Sequence, residues 1–283
     1  MLSDGQAFET FVTDVKGRTF GHGIAMALNG EAFLITVPDQ GSKLEPHFDR
    51  YIIREDAIVA DVSCDYQFWL FQDRTVAAKA LGVDILDVPE KACVTTTSNG
   101  SSRVILVHAP WIGLESILVL APAEHGNESI AERLGSDWIQ SDMHQRKEWE
   151  LERIQAFWPW YGVDMDDRHL PQEIDRNDSA ISFNKGCYLG QETIARLDML
   201  GKVQKKLVQL VVESKHPPQT QMNLQADDKE VGTICSIATN ATAGNCLALA
   251  YVKRSHFAIG QVLNVDGIVA TVFANKHRES VAS

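Results

Sequence analysis

The last third of the chain sets the tightest limit on what the sequence can fold into. After Gly201, apolar segments rich in β-branched residues follow one another, separated by Gly, Pro and Asn and almost free of helical periodicity; they read KKLVQLVVES, EVGTICSIAT, CLALAYVKR, QVLNV and IVATVFA. Short strands punctuated by turn residues are typical of a small barrel or sandwich. We therefore predict a small C-terminal β-barrel domain over residues 201–283, with its boundary near residues 198–204.

The first 200 residues predict a different architecture, in which strands and helices alternate. Segments 19–28 (TFGHGIAMAL) and 32–37 (AFLITV) flank Asn29-Gly30, a dipeptide that strongly predicts a two-residue hairpin turn. Further strands are predicted at AIVADVS (57–63), YQFWLFQ, ACVTTT, RVILVH and SILVLAP. Because strict βα repetition is missing, the pattern favours an α+β fold with antiparallel sheets over a doubly wound sheet.

Helices are predicted where apolar residues recur with helical spacing. One covers Arg74–Leu81 and is stopped by Gly82, a residue that readily adopts the left-handed conformation found at helix ends. Another begins near Ser42, whose spacing to Glu45 fits a capping box. Two more are predicted after residue 127 and over residues 144–157.

Composition narrows the classes of function. The chain has 283 residues, a hydrophobic content of 45% and a formal net charge of −12. An acidic chain lacks the basic surface on which nucleic-acid binding depends, so we expect no direct nucleic-acid contact, and an anionic ligand would need a local basic pocket. No apolar run approaches the roughly 18 residues of a membrane span. The segment MLSDGQAFETF has no signal-peptide features, so we expect a cytoplasmic protein without membrane contact.

The cysteines are Cys64, Cys93, Cys187, Cys235 and Cys246. Their number is odd and no pair has Cys-x-x-Cys spacing, so neither a disulfide framework nor a dedicated metal site within the chain is expected. Cys93 and Cys235 fall in β-like runs, where cysteine behaves as a small apolar residue, and we predict that both have this structural role. Cys187 differs, because it stands in a polar, glycine-rich segment, FNKGCYLGQETIAR (183–196).

KGCYLGQE (185–192), followed by Ala195-Arg196, resembles the signature of the YgfZ-type folate-binding proteins. These are relatives of the aminomethyltransferase of the glycine cleavage system, its T-protein. The segments PWYGVDMDD and LPQE resemble the stretch that leads into the family motif, and VGTICS and LALAYV resemble strands of the family's C-terminal barrel. The resemblance covers nearly the whole chain. It implies three domains in a cloverleaf around a central channel, where a folate (tetrahydrofolate or a derivative) binds.

On this resemblance, residues 1–200 form a folate-binding α+β region, expected to consist of two intertwined subdomains with a shortened N-terminal edge. The segment GQAFETFVTDVKGR (5–18) resembles a family segment that is usually preceded by another strand and a helix. Two explanations stay open: a recorded start that is late, or a first domain with an open edge, which would favour aggregation or pairing with another chain.

The motif residues suit a folate ligand. Gly186 and Gly190 let the backbone turn tightly and approach a ligand closely. Tyr188 offers a flat apolar face with a polar tip. Gln191 and Glu192 carry groups that can donate to and accept from a pterin edge. An alternative stays open, in which the segment is only a glycine-rich turn before a helix at QETIARL, with solvated polar side chains.

The charged residues and the thiol of the motif complete the candidate site. Lys185 and Arg196 supply the positive charge that the glutamate tail of folate needs in an acidic protein. Beside them, the Cys187 thiol should have a lowered pKa and be partly thiolate near neutral pH. Such a group can attack an electrophile or bind a soft metal, so Cys187 is the candidate catalytic residue. The resemblance implies folate-dependent support of iron–sulfur cluster assembly or repair, and of cluster-dependent tRNA-modifying enzymes, with iron–sulfur enzymes or cluster-assembly proteins as partners.

A second candidate site is PWIGLESI (110–117), which resembles the T-protein segment whose glutamate clamps the pterin. On that match Glu115 is the clamp. The alternative is a strand-edge glutamate that faces solvent.

The transferase activity of the superfamily is the alternative function. T-proteins carry an aspartate pair in the hairpin strand of the first domain, and one member is thought to assist methylene transfer to tetrahydrofolate. Gly21 and His22 stand at the matching positions, and neither supplies a carboxylate. The sequence therefore favours a folate-dependent accessory protein for iron–sulfur enzymes. The alternatives are an aminomethyltransferase or other one-carbon transferase, and a folate-binding regulatory module without chemistry.

Overall fold

The computed structural model describes residues 3–54, 56–89, 94–99, 102–110, 112–113, 115–123, 130, 132, 147–182, 188–200 and 203–273. The chain divides into two compact units. Unit 1 comprises Met1–Thr10 and Gly23–Gln140, and unit 2 comprises Phe11–His22 and Ser141–Ser283. The turn between the first two strands therefore belongs to unit 2, as do the motif segment and the C-terminal strands.

The N-terminal sheet consists of β1 (Ala7–Thr13), β2 (Thr19–Leu28) and β3 (Glu31–Thr36), in that order. The predicted hairpin is confirmed, since β2 pairs antiparallel with β3. Asn29 and Gly30 have φ values of 55° and 82°, as a two-residue turn with two left-handed positions requires. Helix α1 (Gly41–Asp49) follows in unit 1.

Unit 1 also contains a second antiparallel sheet. Its strands are β4 (Tyr66–Phe71), β5 (Val94–Asn99), β6 (Ser102–His108) and β7 (Ile117–Pro122). They lie in the order β4-β7-β6-β5. Helix α2 (Arg74–Leu81) is the predicted one, with Asp73 accepting from the Val76 amide at its start and Gly82 left-handed at its end. Its buried alanines share the core of the sheet.

Two predictions for unit 1 are wrong. Segment 57–63 does not form a strand: it is irregular as far as Val62 and then enters a 3₁₀ turn, and Ile58 is 97% exposed. The capping box of Ser42 and Glu45 does not form, because α1 starts before Ser42. The Glu45 carboxylate instead accepts from the Asp61 amide at 3.2 Å. The helix predicted after residue 127 falls largely outside the described residues, as does Cys93.

The predicted barrel is confirmed. Its strands are β8 (Lys205–Val212), β9 (Asn223–Ala226), β10 (Lys229–Asn240), β11 (Asn245–Lys253), β12 (Val262–Val265) and β13 (Ile268–Phe273). They close in the order β10-β11-β8-β13-β12-β9 through antiparallel pairs. Strand β9 escaped prediction because it is short and contributes one fully buried apolar side chain, that of Leu224.

The helices described in unit 2 are α3 (Lys147–Gln155), α4 (Pro171–Ile174), α5 (Asn177–Ala180) and α6 (Gln191–Leu200). Helix α3 is bound to the barrel at its C-terminal end, where the Gln209 side-chain amide donates to the carbonyl oxygen of Gln155 at 3.1 Å. In the described part of the chain, no helix has the length and apolar character needed to cross a membrane.

A buried ionic network also fixes α3 to the barrel. Arg153 pairs with Asp164 at 2.7 Å and donates to the Ser236 hydroxyl at 2.6 Å. The Ser236 hydroxyl in turn donates to Asp164 at 2.5 Å. Ser236 lies next to an irregularity in the β10–β11 register between Ile234 and Ser236, and such bulges redirect side chains. Burial alone would lower the pKa of Arg153, but the charges of Asp164 and Glu150 raise it.

Candidate functional site

A pocket in unit 2 brings together segments that carry the sequence resemblance. Its empty volume, open solvent included, is about 250 Å³. It is formed by the end of β1, the start of α4, the end of α5, and the motif with the first turn of α6. The lining residues are Phe11, Thr13, Pro171, Ala180, Ile181, Tyr188 and Ile194. The walls are mainly apolar, with the hydroxyl groups of Thr13 and Tyr188 as polar side-chain groups.

Strand β1 positions two of the lining side chains. Because side chains alternate along a strand, Phe11 and Thr13 project to the same face. The Thr13 side chain is buried and donates its hydroxyl to the Leu189 carbonyl oxygen at 2.6 Å. One wall of the pocket is therefore hydrogen-bonded directly to the motif.

His22 is packed between two aromatic rings that are tilted relative to its imidazole. It is 2% exposed, and its ring lies 4.9 Å from that of Phe11 and 4.7 Å from that of Trp158, between centroids. The Arg176 guanidinium lies over the Trp158 ring at 5.7 Å and donates to the Phe157 carbonyl oxygen at 3.1 Å. The position matched to a T-protein aspartate thus holds a buried imidazole between two aromatic rings.

The motif turn, which we define as Tyr188–Gln191, packs against the turn that joins β1 and β2. Gly190 has φ of 79°, and a Cβ added to it would lie 2.5 Å from the Gly17 nitrogen and 2.7 Å from the Asp14 carbonyl oxygen. Gly17 also has positive φ, 75°. The close approach that Gly190 permits is therefore made to another turn of the chain.

Helix α6 starts directly from the motif turn. The Gln191 amide donates to the Tyr188 carbonyl oxygen and the Ile194 amide to that of Gly190, both at 3.2 Å. Ile194 is buried, whereas Glu192 is exposed. The Gln172 side-chain amide donates to the Ile194 carbonyl oxygen at 2.9 Å. The Oε1 atom of Gln172 is buried and accepts no hydrogen bond from the described part of the chain.

The structure describes only part of the predicted site. Tyr188 lines the pocket, Gly190 shapes the motif turn, and Gln191 and Glu192 open α6. Lys185, Gly186 and Cys187 lie outside the described residues, and so do the side chain of Arg196 and residue Trp111. Glu115 is exposed in unit 1, in the loop between β6 and β7. The folate-binding roles of these residues stay predictions.

A polar cluster lies between the segment before α4 and the barrel. The His169 ring stacks on Tyr251, with centroids 4.5 Å apart, and the Lys205 ammonium lies 4.6 Å from the same tyrosine ring. The Asp166 amide donates to His169 Nδ1 at 3.1 Å. Burial, followed by the charge of Lys205, lowers the pKa of His169, although the Asp166 carboxylate opposes them. Burial also raises the pKa of Glu173. This cluster therefore holds a neutral imidazole near neutral pH.

The described cysteines differ in exposure. Cys235 is buried, as predicted, and burial followed by the charge of Asp164 raises the pKa of its thiol to about 12. Cys246 is buried too, and burial raises its pKa, whereas Cys64 is exposed. Among the described residues no group of three or more His, Cys, Asp or Glu side chains could hold a metal ion.

Phe11, Thr13 and Gly17 were not singled out from the sequence as site residues. All three lie in GQAFETFVTDVKGR, a segment flagged only for its family resemblance. The alternation of Phe11 and Thr13 on one strand face was a usable signal for a shared surface. No local sequence pattern predicted the contact between Gly17 and Gly190, because the two glycines are far apart in the sequence.

Comparison with known families and proteins gives consistent matches. The family described as the glycine cleavage T-protein C-terminal barrel domain matches residues 205–274. The "tRNA-modifying protein YgfZ" of Colwellia psychrerythraea is 35% identical over 139 residues, which are 48% of this chain and 40% of that protein. An "Aminomethyltransferase" of Rippkaea orientalis is 31% identical over 114 residues, 40% of this chain and 31% of that protein. The chain thus covers less than half the length of each of these curated relatives.

The fold similarity extends much further than the sequence similarity. The crystal structure of glycine cleavage system aminomethyltransferase T from Bartonella henselae superposes with a TM-score of 0.80. The match covers 98% of this chain and 77% of that one, at 14% identity. At this identity the match establishes a shared fold.

Proposed function

Because the chain is a YgfZ-type member of the glycine cleavage T-protein superfamily, we propose that it binds a reduced folate and supports iron–sulfur enzymes. The observation that carries the proposal is the position of the signature motif. Tyr188 lines a pocket to which two further segments that resemble the family contribute, one through Phe11 and Thr13 and the other through Pro171. The ligand is tetrahydrofolate or a derivative, and the supported process is cluster assembly or repair.

The pocket suits one flat ring of such a ligand. The empty volume of about 250 Å³ includes open solvent, so a flat ring would lie against the pocket walls and the rest of a folate would lie outside. Phe11 and Tyr188 provide aromatic surface for stacking.

In this proposal, basic side chains bind the part of the folate that lies outside the pocket. Lys185 and Arg196 would pair with the glutamate tail of folate, which an acidic chain of net charge −12 otherwise repels. Glu192 and Gln191, at the start of α6, would meet the polar edge of the pterin. Glu115 would act as the pterin clamp. We expect the bound form to include a polyglutamate tail.

Cys187 would supply the chemistry. A thiolate contributes one ligand to an iron–sulfur cluster, and the remaining ligands of a transient cluster would come from a partner, either an iron–sulfur enzyme or a cluster-assembly protein. The cluster is then cargo that passes between proteins. We place this activity in the cytoplasm, where free thiols stay reduced.

The link to tRNA would be indirect. Curated relatives from Colwellia psychrerythraea and Pectobacterium carotovorum carry the name "tRNA-modifying protein YgfZ". An acidic chain is poorly suited to bind tRNA itself. We therefore propose that the protein maintains cluster-dependent enzymes that modify tRNA.

An aminomethyltransferase is the second candidate, favoured by the sequence similarity to the "Aminomethyltransferase" of Rippkaea orientalis. Its acid–base step needs a carboxylate near the reacting nitrogen. Gly21 and the buried His22, which packs between two aromatic rings, occupy the matched positions. This difference ranks the transferase below the accessory role.

Complementation tests the proposal. In a bacterial strain that lacks its own YgfZ-type protein, the wild-type chain should restore the activity of an iron–sulfur tRNA-modifying enzyme. Cys187→Ala should fail to do so while still binding folate, and Cys64→Ala, which removes an exposed cysteine in unit 1, should restore activity fully. Failure of the wild-type chain, or full restoration by Cys187→Ala, would contradict the proposal.

A further inference from the structure

We propose that Thr13 and the β1–β2 turn (Asp14–Arg18) are positioning residues for the signature motif. They would act through the motif turn, Tyr188–Gln191, whose orientation sets Tyr188 and the first turn of α6. The inference rests on the proposed function in one respect, namely that the motif binds folate.

The first observation is a partly buried hydrogen bond. Thr13 is 7% exposed, and its hydroxyl donates to the Leu189 carbonyl oxygen at 2.6 Å. Leu189 lies between Tyr188, which lines the pocket, and Gly190, which turns the chain into α6. A short, partly buried hydrogen bond at this peptide favours one orientation, because its loss would leave a polar group without its partner.

The second observation is steric. Both Gly17 and Gly190 have positive φ and meet face to face: a Cβ on Gly190 would lie 2.5 Å from the Gly17 nitrogen and 2.7 Å from the Asp14 carbonyl oxygen. A Cβ on Gly17 would lie 3.0 Å from the Gly190 carbonyl oxygen. The obstacles around Gly190 are backbone atoms, which cannot rotate away as a side chain can, so one turn must move if Gly190 gains a side chain. At Gly17, where Thr193 Cβ also lies 3.0 Å away, the neighbours must give by a few tenths of an ångström.

The third observation is that the β1–β2 turn is itself braced. The Asp14 carboxylate accepts from the amides of Lys16 and Arg18, each at 2.8 Å. The Gly17 amide donates to the Asp14 carbonyl oxygen and the Asp14 amide to that of Arg18, both at 3.0 Å. A turn with this many internal bonds offers a fixed surface against which the motif turn is held.

Together these contacts give Thr13 and the β1–β2 turn a specific task. Both lie far from the motif in sequence, yet Thr13 contacts it through a hydrogen bond and the turn contacts it through a close backbone approach. Binding sites lose affinity when the shell that supports their contact residues moves by as little as about 1 Å. Displacement of the motif turn would move the Tyr188 ring and the start of α6 together.

The glycine test uses a control with a matched backbone. Gly190→Ala and Gly17→Ala force alanine to φ of 79° and 75° against neighbouring backbone, whereas Gly267→Ala forces it to φ of 81° in a barrel hairpin with no atom within 4 Å. All three variants carry a similar conformational penalty. Affinity for 5-formyl-tetrahydrofolate is measured by calorimetry at a temperature where each variant is folded. We expect roughly tenfold weaker binding by Gly190→Ala and less than a twofold change for Gly267→Ala.

The hydrogen-bond test keeps the shape of residue 13. Thr13→Val removes the donor, and loss of one such bond weakens binding by about 2- to 12-fold. Thr13→Ser retains the hydroxyl and should restore wild-type affinity. A residue needed only for folding would change the melting temperature and leave the affinity of the folded protein unchanged. The comparison of Thr13→Val with Thr13→Ser also tests the positioning role if Gly190→Ala does not fold.

A second readout is independent of folate. The rate at which iodoacetamide alkylates Cys187, followed against pH, should shift in Thr13→Val and Gly190→Ala and stay unchanged in Gly267→Ala. If the wild-type chain binds no folate, the proposed function is contradicted and the alkylation profile still decides the positioning role. Unchanged affinity and an unchanged profile in the folded Thr13→Val variant would overturn the inference.

Discussion

Arg153 and Asp164 form an ion pair of 2.7 Å in which both side chains are almost fully buried, at 2% and 0% exposure. The pair joins α3 and the segment before α4 to β10 through Ser236. Removing one partner would leave an uncompensated buried charge, which is strongly destabilising. The intact ion pair should therefore stabilise the packing of these three segments.

Replacing Asp164 by Asn should therefore lower the free energy of unfolding by about 3 kcal/mol, toward the lower end of the usual range because Glu150 still faces Arg153. The matched control is Arg168→Met, which breaks the ion pair of Asp166 with an 81% exposed arginine. Arg168→Met should change the free energy of unfolding by no more than the experimental error. Urea denaturation at pH 7.5 measures both. Equal losses in the two variants would contradict the stabilising role of the buried pair.

The free energy of unfolding should also fall as the pH is lowered, because the His169 ring takes up a proton. Burial lowers the pKa of its ring below the ordinary value of 6.5, so the unfolded chain takes up a proton before the folded one does. The stability contributed by the neutral ring is fully present above pH 6.5 and is lost as the pH falls toward the lower pKa of the folded state. Asp166 stays ionised throughout, because its pKa is about 2.

His169→Phe separates this effect from that of the other histidines. The variant keeps a ring to stack on Tyr251 but cannot take up a proton. The free energy of unfolding, measured in urea at pH 7.5 and 5.5, should fall less on acidification in the variant than in the wild type. An equal fall in both proteins would rule out His169 as the source.

Local signals predicted the elements that need only local interactions. The hairpin at Asn29-Gly30 and the helix ended by Gly82 follow from the few conformations that their turn residues allow. Segment 57–63 failed because β propensity cannot supply a partner strand. Glu45 failed as a capping residue because Asp61, sixteen positions away, offers its amide instead.

In the candidate site, too, the features that depend on local sequence were predicted and those that depend on long-range contacts were not. The motif was recognisable because its residues are contiguous, and Tyr188 does line a pocket. The contact of Thr13 with Leu189 spans 176 positions, and such a tertiary contact leaves no mark in either local segment. The packing of His22 between Phe11 and Trp158 depends on the same kind of long-range proximity.

The protein should not carry out the glycine-cleavage transfer. On the sequence match of Gly21 and His22 to the T-protein carboxylates, the reaction would lack an acid–base group worth about 10² to 10⁴ in rate. An assay with aminomethylated carrier protein and tetrahydrofolate should give little or no product. Product at ordinary enzyme rates would move the transferase to first place. His22→Asp is not expected to rescue activity, because it puts a charge between two aromatic rings.

The thiols should differ sharply in reactivity. Cys235 is buried and has its pKa raised to about 12, so iodoacetamide should leave it unmodified in the folded protein, as it should Cys246. Exposed Cys64 should be alkylated readily. We predict that Cys187 reacts at a lower pH than an ordinary thiol, because the sequence places Lys185 two positions before it. Mass spectrometry of each cysteine after timed alkylation gives the rates, and identical profiles for Cys187 and Cys64 would contradict a reactive thiolate.

Calorimetric titration of the full chain with 5-formyl-tetrahydrofolate, alone and with a polyglutamate tail, tests folate binding most directly. We expect a dissociation constant that is micromolar or tighter for wild type and for Cys187→Ala alike. The extra affinity from the tail should fall as salt is raised, since contacts of partly exposed charges are screened within about 10 Å at 0.1 M ionic strength. Absence of binding by the folded wild-type chain at millimolar ligand would contradict the proposed function.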